Sequence, residues 1–115
     1  MTDCIFCKIV KGDIPAKLVY EDKETLAFED INPQAPHHVL IIPKEHILSS
    51  LDDVNEDNSY IIGKMFLTAK KVSDKLGISE SGVRLINNSG KDAHQTVKHI
   101  HIHLLGGKDL GEKLG

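Results

Sequence analysis

Residues 99–105 read His-Ile-His-Ile-His-Leu-Leu, an alternation of imidazole and aliphatic side chains. In extended backbone, successive side chains point to opposite faces. His99, His101 and His103 therefore share one face of a strand, and Ile100, Ile102 and Leu104 share the other. The aliphatic face anchors the strand in a core. The other face holds a row of three imidazoles, the side chain whose unperturbed pKa lies nearest neutrality. Such a row suits proton transfer, nucleophilic attack or metal binding. At a rise of about 3.3 Å per residue, His99 and His103 stand roughly 13 Å apart at the backbone. A zinc ion holds each imidazole nitrogen at about 2.0–2.1 Å, so three histidines on one straight strand do not readily converge on it. The spacing favours a division of labour, with each ring facing a different partner.

The rest of the chain supplies the elements such a strand must pack against. Its 115 residues read as one domain, 1–115, large enough for its own core. Residues 4–10 have the spacing of a short helical turn closed by Gly12. Leu18–Glu21 and Thr25–Asp30 read as two strands of a hairpin turning at Asp22-Lys23-Glu24. Val39–Ile42 reads as a strand buried on both faces and ended by Pro43. Ile61, Met65, Ala69, Val72 and Leu76 follow helical spacing, which predicts one long helix over 55–76, with Glu56 and Asp57 at its start and Gly77 as its stop. Val83–Asn87 and His99–Leu105 complete the strands. The pattern is an α+β domain: an antiparallel sheet of about five strands with one long and one short helix.

Charge narrows the partners. A net charge of −3 argues against a nucleic-acid binder, which needs a basic surface. It leaves room for a small phosphorylated ligand, because backbone amides and neutral side chains can hold phosphate. Residues 1–4 show no secretory signal and no apolar run reaches the length of a membrane span, so no membrane partner and a cytoplasmic location are expected. In a reducing compartment Cys4 and Cys7 are not read as a structural disulfide. Two thiolates at this spacing are half of a tetrahedral zinc site; unliganded thiols are the alternative.

The stretch Asn88–Lys98, running into the histidine row, is too polar to be core. Asn88 and Gln95 bring amides, Thr96 brings a hydroxyl, and the backbone near Gly90 brings N–H donors. Together they form a candidate cradle for phosphate oxygens that needs no cationic side chain.

These residues resemble a known family. His99-Ile-His101-Ile-His103-Leu-Leu is similar to the signature of the histidine triad (HIT) superfamily. The stretches Asp3–Ile9, Ile14–Lys17, Phe28–His38, Ile42–Ile47, Arg84–Gly90 and Gln95–Val97 resemble its nucleotide-binding branch, in the same order. The resemblance implies a HIT-like fold that dimerises into a continuous sheet, and catalytic positions at His101, His103, Thr96 and His99. His101 would attack the α-phosphorus of a nucleotide derivative, with its Nδ1–H fixed by an acceptor such as a backbone carbonyl. His103 would contact the phosphate, with Asn88, Gln95 and Thr96 around phosphate and leaving group. Asp30 matches the residue that binds the ribose hydroxyls. Ile5, Phe6, Ile9, Phe28, Ile31 and Leu40 match the apolar walls around the base. His38 matches a histidine near the triad. Cys4, Cys7, His46 and His99 match a structural zinc site used by similar members.

Two departures stand out: His94 occupies a position where relatives usually have glycine, and Lys98 replaces a usual aromatic residue. The C-terminal tail also lacks the family's common Trp-Pro-Pro ending. The activity implied is hydrolysis of purine nucleoside 5′-phosphoramidates through a nucleotidyl-histidine on His101. The partners implied are a purine nucleotide and a second copy of the chain. Rival readings are a dinucleoside polyphosphate hydrolase, a nucleotide-binding or interaction module without turnover, and a metal-binding module.

Overall fold

Alternation along the strands dictates the architecture. In a computed structural model describing residues 4–114, the elements in chain order are α1 (Ile5–Lys11), β1 (Leu18–Glu21), β2 (Thr25–Glu29), β3 (His37–Pro43), α2 (Tyr60–Lys75), β4 (Val83–Ile86) and β5 (Ile102–Gly106). Asp3, which opens the N-terminal stretch of the resemblance, lies outside the described residues. All strand pairs are antiparallel, in the order β1-β2-β3-β5-β4. This is the α+β, five-stranded, two-helix fold expected. Among the described residues no helix is long and apolar enough to cross a membrane.

The sheet has two differently used faces. Val39 and Ile41 of β3, with Ile100, Ile102 and Leu104, pack against the Ile61, Met65, Ala69 and Val72 stripe of α2 in the main core. Leu26, Phe28, Leu40 and Ile42 face the other way and form a second cluster with Phe6 of α1. The histidine row lies on this second face, where α1 covers only part of the sheet.

Two boundaries differ from the sequence reading. The ladder of β5 begins at Ile102, paired with Ile41, not at His99. Continuing the register would bring Ile100 opposite Pro43, which has no N–H to give. The Ile100 amide instead donates to the Leu48 carbonyl at 2.9 Å. The long helix begins at Tyr60, so Glu56 and Asp57 lie before it. Asn55 Oδ1 accepts from the amides of Asp57 and Asn58, and Asn58 Oδ1 accepts from the Asn55 amide. Such local side-chain bonds offer the backbone an alternative to the helix.

One carboxylate organises the β1–β2 turn. Asp22 Oδ1 accepts from the amides of Glu24 and Thr25, both at 2.8 Å, and from the Thr25 hydroxyl at 3.1 Å, while Oδ2 accepts from the Tyr20 hydroxyl at 3.0 Å. The buried Thr25 hydroxyl also meets Thr68 of α2 at 2.6 Å, tying the turn to the helix. Burial opposes ionisation of Asp22, but the hydrogen bonds from Glu24, Thr25 and Tyr20 outweigh it and hold the carboxyl below its ordinary value. A lowered folded-state pKa contributes stability that is complete above the unfolded value, about 3.9, and lost as pH falls through the folded one. Asp22→Ala is expected to cost about 1–2 kcal/mol at neutral pH. Urea melts should show the gap between the two proteins narrowing once pH drops below the unfolded value.

Candidate active site

The second face of the sheet holds a cleft of about 690 Å³. Phe28 and Leu40 line it from β2 and β3, and Ile5, Phe6 and Ile9 line it from α1. Asp30, Ile31, Thr96, His101 and His103 complete that part of the lining which sequence reading anticipated. All six apolar residues expected around a base therefore meet in one place. Phe6, Phe28 and Leu40 are buried, whereas Ile31 is fully exposed at the rim.

Fixed backbone groups set the protonation of the imidazoles. His101 Nδ1 lies 2.9 Å from the carbonyl oxygen of His99. A carbonyl only accepts, so Nδ1 carries the proton, and Nε2 of the neutral ring is a bare lone pair. Burial pushes the His101 pKa down, against the opposing pull of the His99 carbonyl and Asp30, so the ring is neutral at neutral pH.

His103 is set the opposite way. The Gln34 amide donates to His38 Nδ1 at 3.0 Å. Neutral His38 then carries its proton on Nε2, which lies 2.9 Å from His103 Nδ1 and 3.5 Å from Asp30 Oδ2. With Nδ1 accepting, His103 carries its own proton on Nε2. Burial, then His101 and His38, lower its pKa, while Asp30 opposes. The two rings stand with centroids 5.3 Å apart. Side by side, the cleft has one bare imidazole nitrogen and one imidazole N–H.

His99 belongs to a separate group. Its ring is fully buried, and Nε2 donates to the Pro43 carbonyl at 2.8 Å, which leaves Nδ1 bare. Burial, then neighbouring His46 and His101, push its pKa down to about 4, against the Pro43 carbonyl. Nδ1 lies 3.4 Å from Cys4 Sγ and 3.7 Å from Cys7 Sγ, and Cys7 Sγ lies 3.3 Å from His46 Nδ1. The four donor atoms all fall within 4.8 Å of one another. With zinc–sulfur and zinc–nitrogen bonds of about 2.3 and 2.0–2.1 Å, a tetrahedral site has S···N edges of about 3.5 Å. The distances fit, as does the chemistry: two soft sulfurs, and a His99 nitrogen whose opposite N–H is held by a carbonyl.

The chain can be compared with known proteins on this basis. The HIT domain family matches residues 11–110. The chain belongs to the HIT family. It is 44% identical to the purine nucleoside phosphoramidase of Escherichia coli over 97% of its length and 93% of that protein's. A HIT family hydrolase of known structure from Clostridium thermocellum is 50% identical, with a TM-score of 0.95 over 99% of this chain and 98% of that one. A histidine triad nucleotide-binding protein from Candida albicans is 38% identical, with a TM-score of 0.83 over 96% and 82% of the two chains.

Within this HIT fold, three expectations about individual residues change. His99 is not on the cleft: its ring turns into the cysteine cluster, and what it offers His101 is its carbonyl. Gln95 does not line the cleft either. Its amide is used inside the loop, with Oε1 accepting from the Gly90 amide and Nε2 donating to the Ser49 and Val97 carbonyls. Asn88 is half-buried and is likewise absent from the lining. Its neighbour Asn87, not singled out in the sequence, donates to the His101 carbonyl at 2.9 Å. Ile86 pairs with His103, so continuing that register puts Asn87 opposite Ile102, one residue from the carbonyl its side chain reaches, a placement that sequence alone does not show. The lining contributed by Ile14, Pro15, Lys17 and Pro33 was also not anticipated. His94 has φ +58, a left-handed backbone. That is why glycine suits the position; His94 itself is exposed and is not part of the cleft lining.

The tautomers are measurable. In long-range 1H–15N spectra at neutral pH, His101 should appear as the Nδ1–H form and His103 as the Nε2–H form. His38→Ala should release His103 into a mixture of tautomers, and His38→Gln, which can still donate, should restore the Nε2–H form. An unchanged His103 signal in His38→Ala would contradict the relay from Gln34.

Proposed function

We propose that this HIT enzyme, a nucleotidyl hydrolase, cleaves purine nucleoside 5′-phosphoramidates through a nucleotidyl-histidine on His101. The observation that carries this reading is the pairing of opposite tautomers at an apolar cleft. A bare Nε2 is the nucleophile that phosphoryl attack requires, and the adjacent His103 N–H suits a phosphate oxygen. Asp30 is the acceptor for ribose hydroxyls, and the apolar residues take the base. The named activity of the Escherichia coli relative supports the substrate class.

The chemistry divides into two displacements. His101 Nε2 attacks the α-phosphorus, the P–N bond breaks, and the amine departs. The amine needs a proton to leave. The minor protonated form of His101, made a stronger acid by burial, passes its Nε2 proton through the Thr96 hydroxyl to the leaving nitrogen, and the neutral ring this produces is the one that attacks. Water then attacks phosphorus, releasing the nucleoside monophosphate and restoring His101. Cys4, Cys7, His46 and His99 would hold a zinc ion away from the reacting atoms, where it supplies cross-linking between segments.

A homodimer belongs to the same reading. β4 is a sheet edge, and near its end lies an apolar groove lined by Leu51, Val54, Ile62, Met65 and Phe66. Sheets joined through this region would bury residues that are otherwise exposed, Leu51 and Phe66 among them.

A substrate panel tests the activity. Adenosine 5′-phosphoramidate is expected to exceed dinucleoside polyphosphates in kcat/KM, and His101→Ala is expected to lose about 10⁴-fold or more. Faster turnover of dinucleoside polyphosphates would move the protein to the rival hydrolase reading. Tight AMP binding with no turnover of either class would make it a binding module, and full turnover by His101→Ala would remove the nucleophile.

A further inference from the structure

α1 is too short to be stable alone. At seven residues it falls below the length at which an isolated helix holds in water. Only Phe6 of it is buried, and no α1 residue belongs to the main core between sheet and α2. Yet Ile5, Phe6 and Ile9 line the cleft. Phe6 is placed closely: its ring meets Phe28, His99 and His101 edge-on, with centroids 5.7, 5.8 and 5.1 Å away. Beyond that ring, only the partly buried Ile9 and Val10 of α1 pack against the second cluster, which leaves room for a further tie on this wall.

The cysteines are positioned to do so. Cys4 is the N-cap of α1, its Sγ accepting from the Cys7 amide at 3.4 Å. Cys7 lies one turn on. The facing donors come from elsewhere in the fold: His46 from just beyond β3 and His99 from just before β5. A ligand shared by the four ties the start of α1 to two separate segments of the sheet. The cluster borders a surface depression lined by Cys4, Ile5, His46 and Thr96 among others, so an ion there can exchange without unfolding the core.

We propose that Cys4 and Cys7 are positioning residues for nucleotide recognition: with zinc bound, the cluster is a clasp that holds α1 as the wall of the cleft. The proposal rests on the nucleotide-cleft reading above. It differs from a general structural site in its reach. Releasing the clasp frees α1 while the sheet and α2 keep their own core.

The test uses the whole protein, loaded with zinc and confirmed by elemental analysis. Affinity for AMP is measured by calorimetry, and amide exchange is followed across the chain, before and after chelation. Chelation is expected to weaken AMP binding by about tenfold or more, as a cleft whose competent state is less populated must. It should speed exchange in α1 and leave β2, β3 and β5 protected, and added zinc should reverse both effects. Cys7→Ser should reproduce the chelated state. Phe6→Ala should keep zinc, bind AMP weakly, and respond little to chelation.

Unchanged AMP affinity after chelation of a zinc-bearing protein would overturn the clasp and leave the zinc site standing. So would exchange that rises through the sheet together with α1. A chain that takes up no zinc would remove both the metal site and the clasp. Zinc-loaded protein that binds no AMP would remove the cleft reading and the clasp with it.

Discussion

The hydrogen bond from His101 Nδ1 to the His99 carbonyl is the constraint on which the site depends. It spans only two residues, so backbone conformation at 99–101 alone decides it. A carbonyl has no proton to exchange, and its presence leaves the opposite ring nitrogen bare. Burial reinforces the effect by disfavouring the charged ring. An unprotonated ring nitrogen at neutral pH is thus produced without an adjacent carboxylate in direct contact. The same device recurs with other partners: the Pro43 carbonyl sets His99, and the Gln34 amide sets His103 through His38. Three similar side chains are held in three different settings because three different main-chain groups meet them.

The sheet makes that possible by stopping where it does. β3 ends in Pro43, which cannot continue the ladder, so the chain carrying His99–His101 departs from regular pairing. The Ile100 amide is taken by Leu48, the Pro43 carbonyl by the His99 ring, and the His99 carbonyl by the His101 ring. Asn87, just past β4, takes the His101 carbonyl. These four backbone groups freed by the end of the ladder are each satisfied, two of them by the rings of His99 and His101, as buried backbone requires. Fold and site are therefore joined at one proline and its register.

Much of this was legible from residue order. The alternation at 99–104 placed three imidazoles on one face, and in the structure each ring meets a different partner. The hairpin, the doubly buried β3 and the helix stripe from Ile61 to Val72 follow from side-chain periodicity, which sequence displays directly. What escaped depends on where the backbone bonds go. The ladder's end at Ile102, the helix start at Tyr60, and the use of Gln95 within its own loop are contests between hydrogen-bond partners, and sequence shows only the contestants. The tautomers are legible least of all. The Gln34 amide could belong to any residue but proline, so no side chain announces it.

The most direct test of this account is to locate the bond to phosphorus. A slowly turned-over nucleoside phosphoramidate would be quenched on the enzyme under denaturing alkaline conditions, which preserve phosphohistidines, and the adduct assigned by mass and by 31P–15N coupling. One nucleotidyl group, on Nε2 of His101, is expected. An adduct on Nδ1 of that ring, on His103, or on another residue would contradict it.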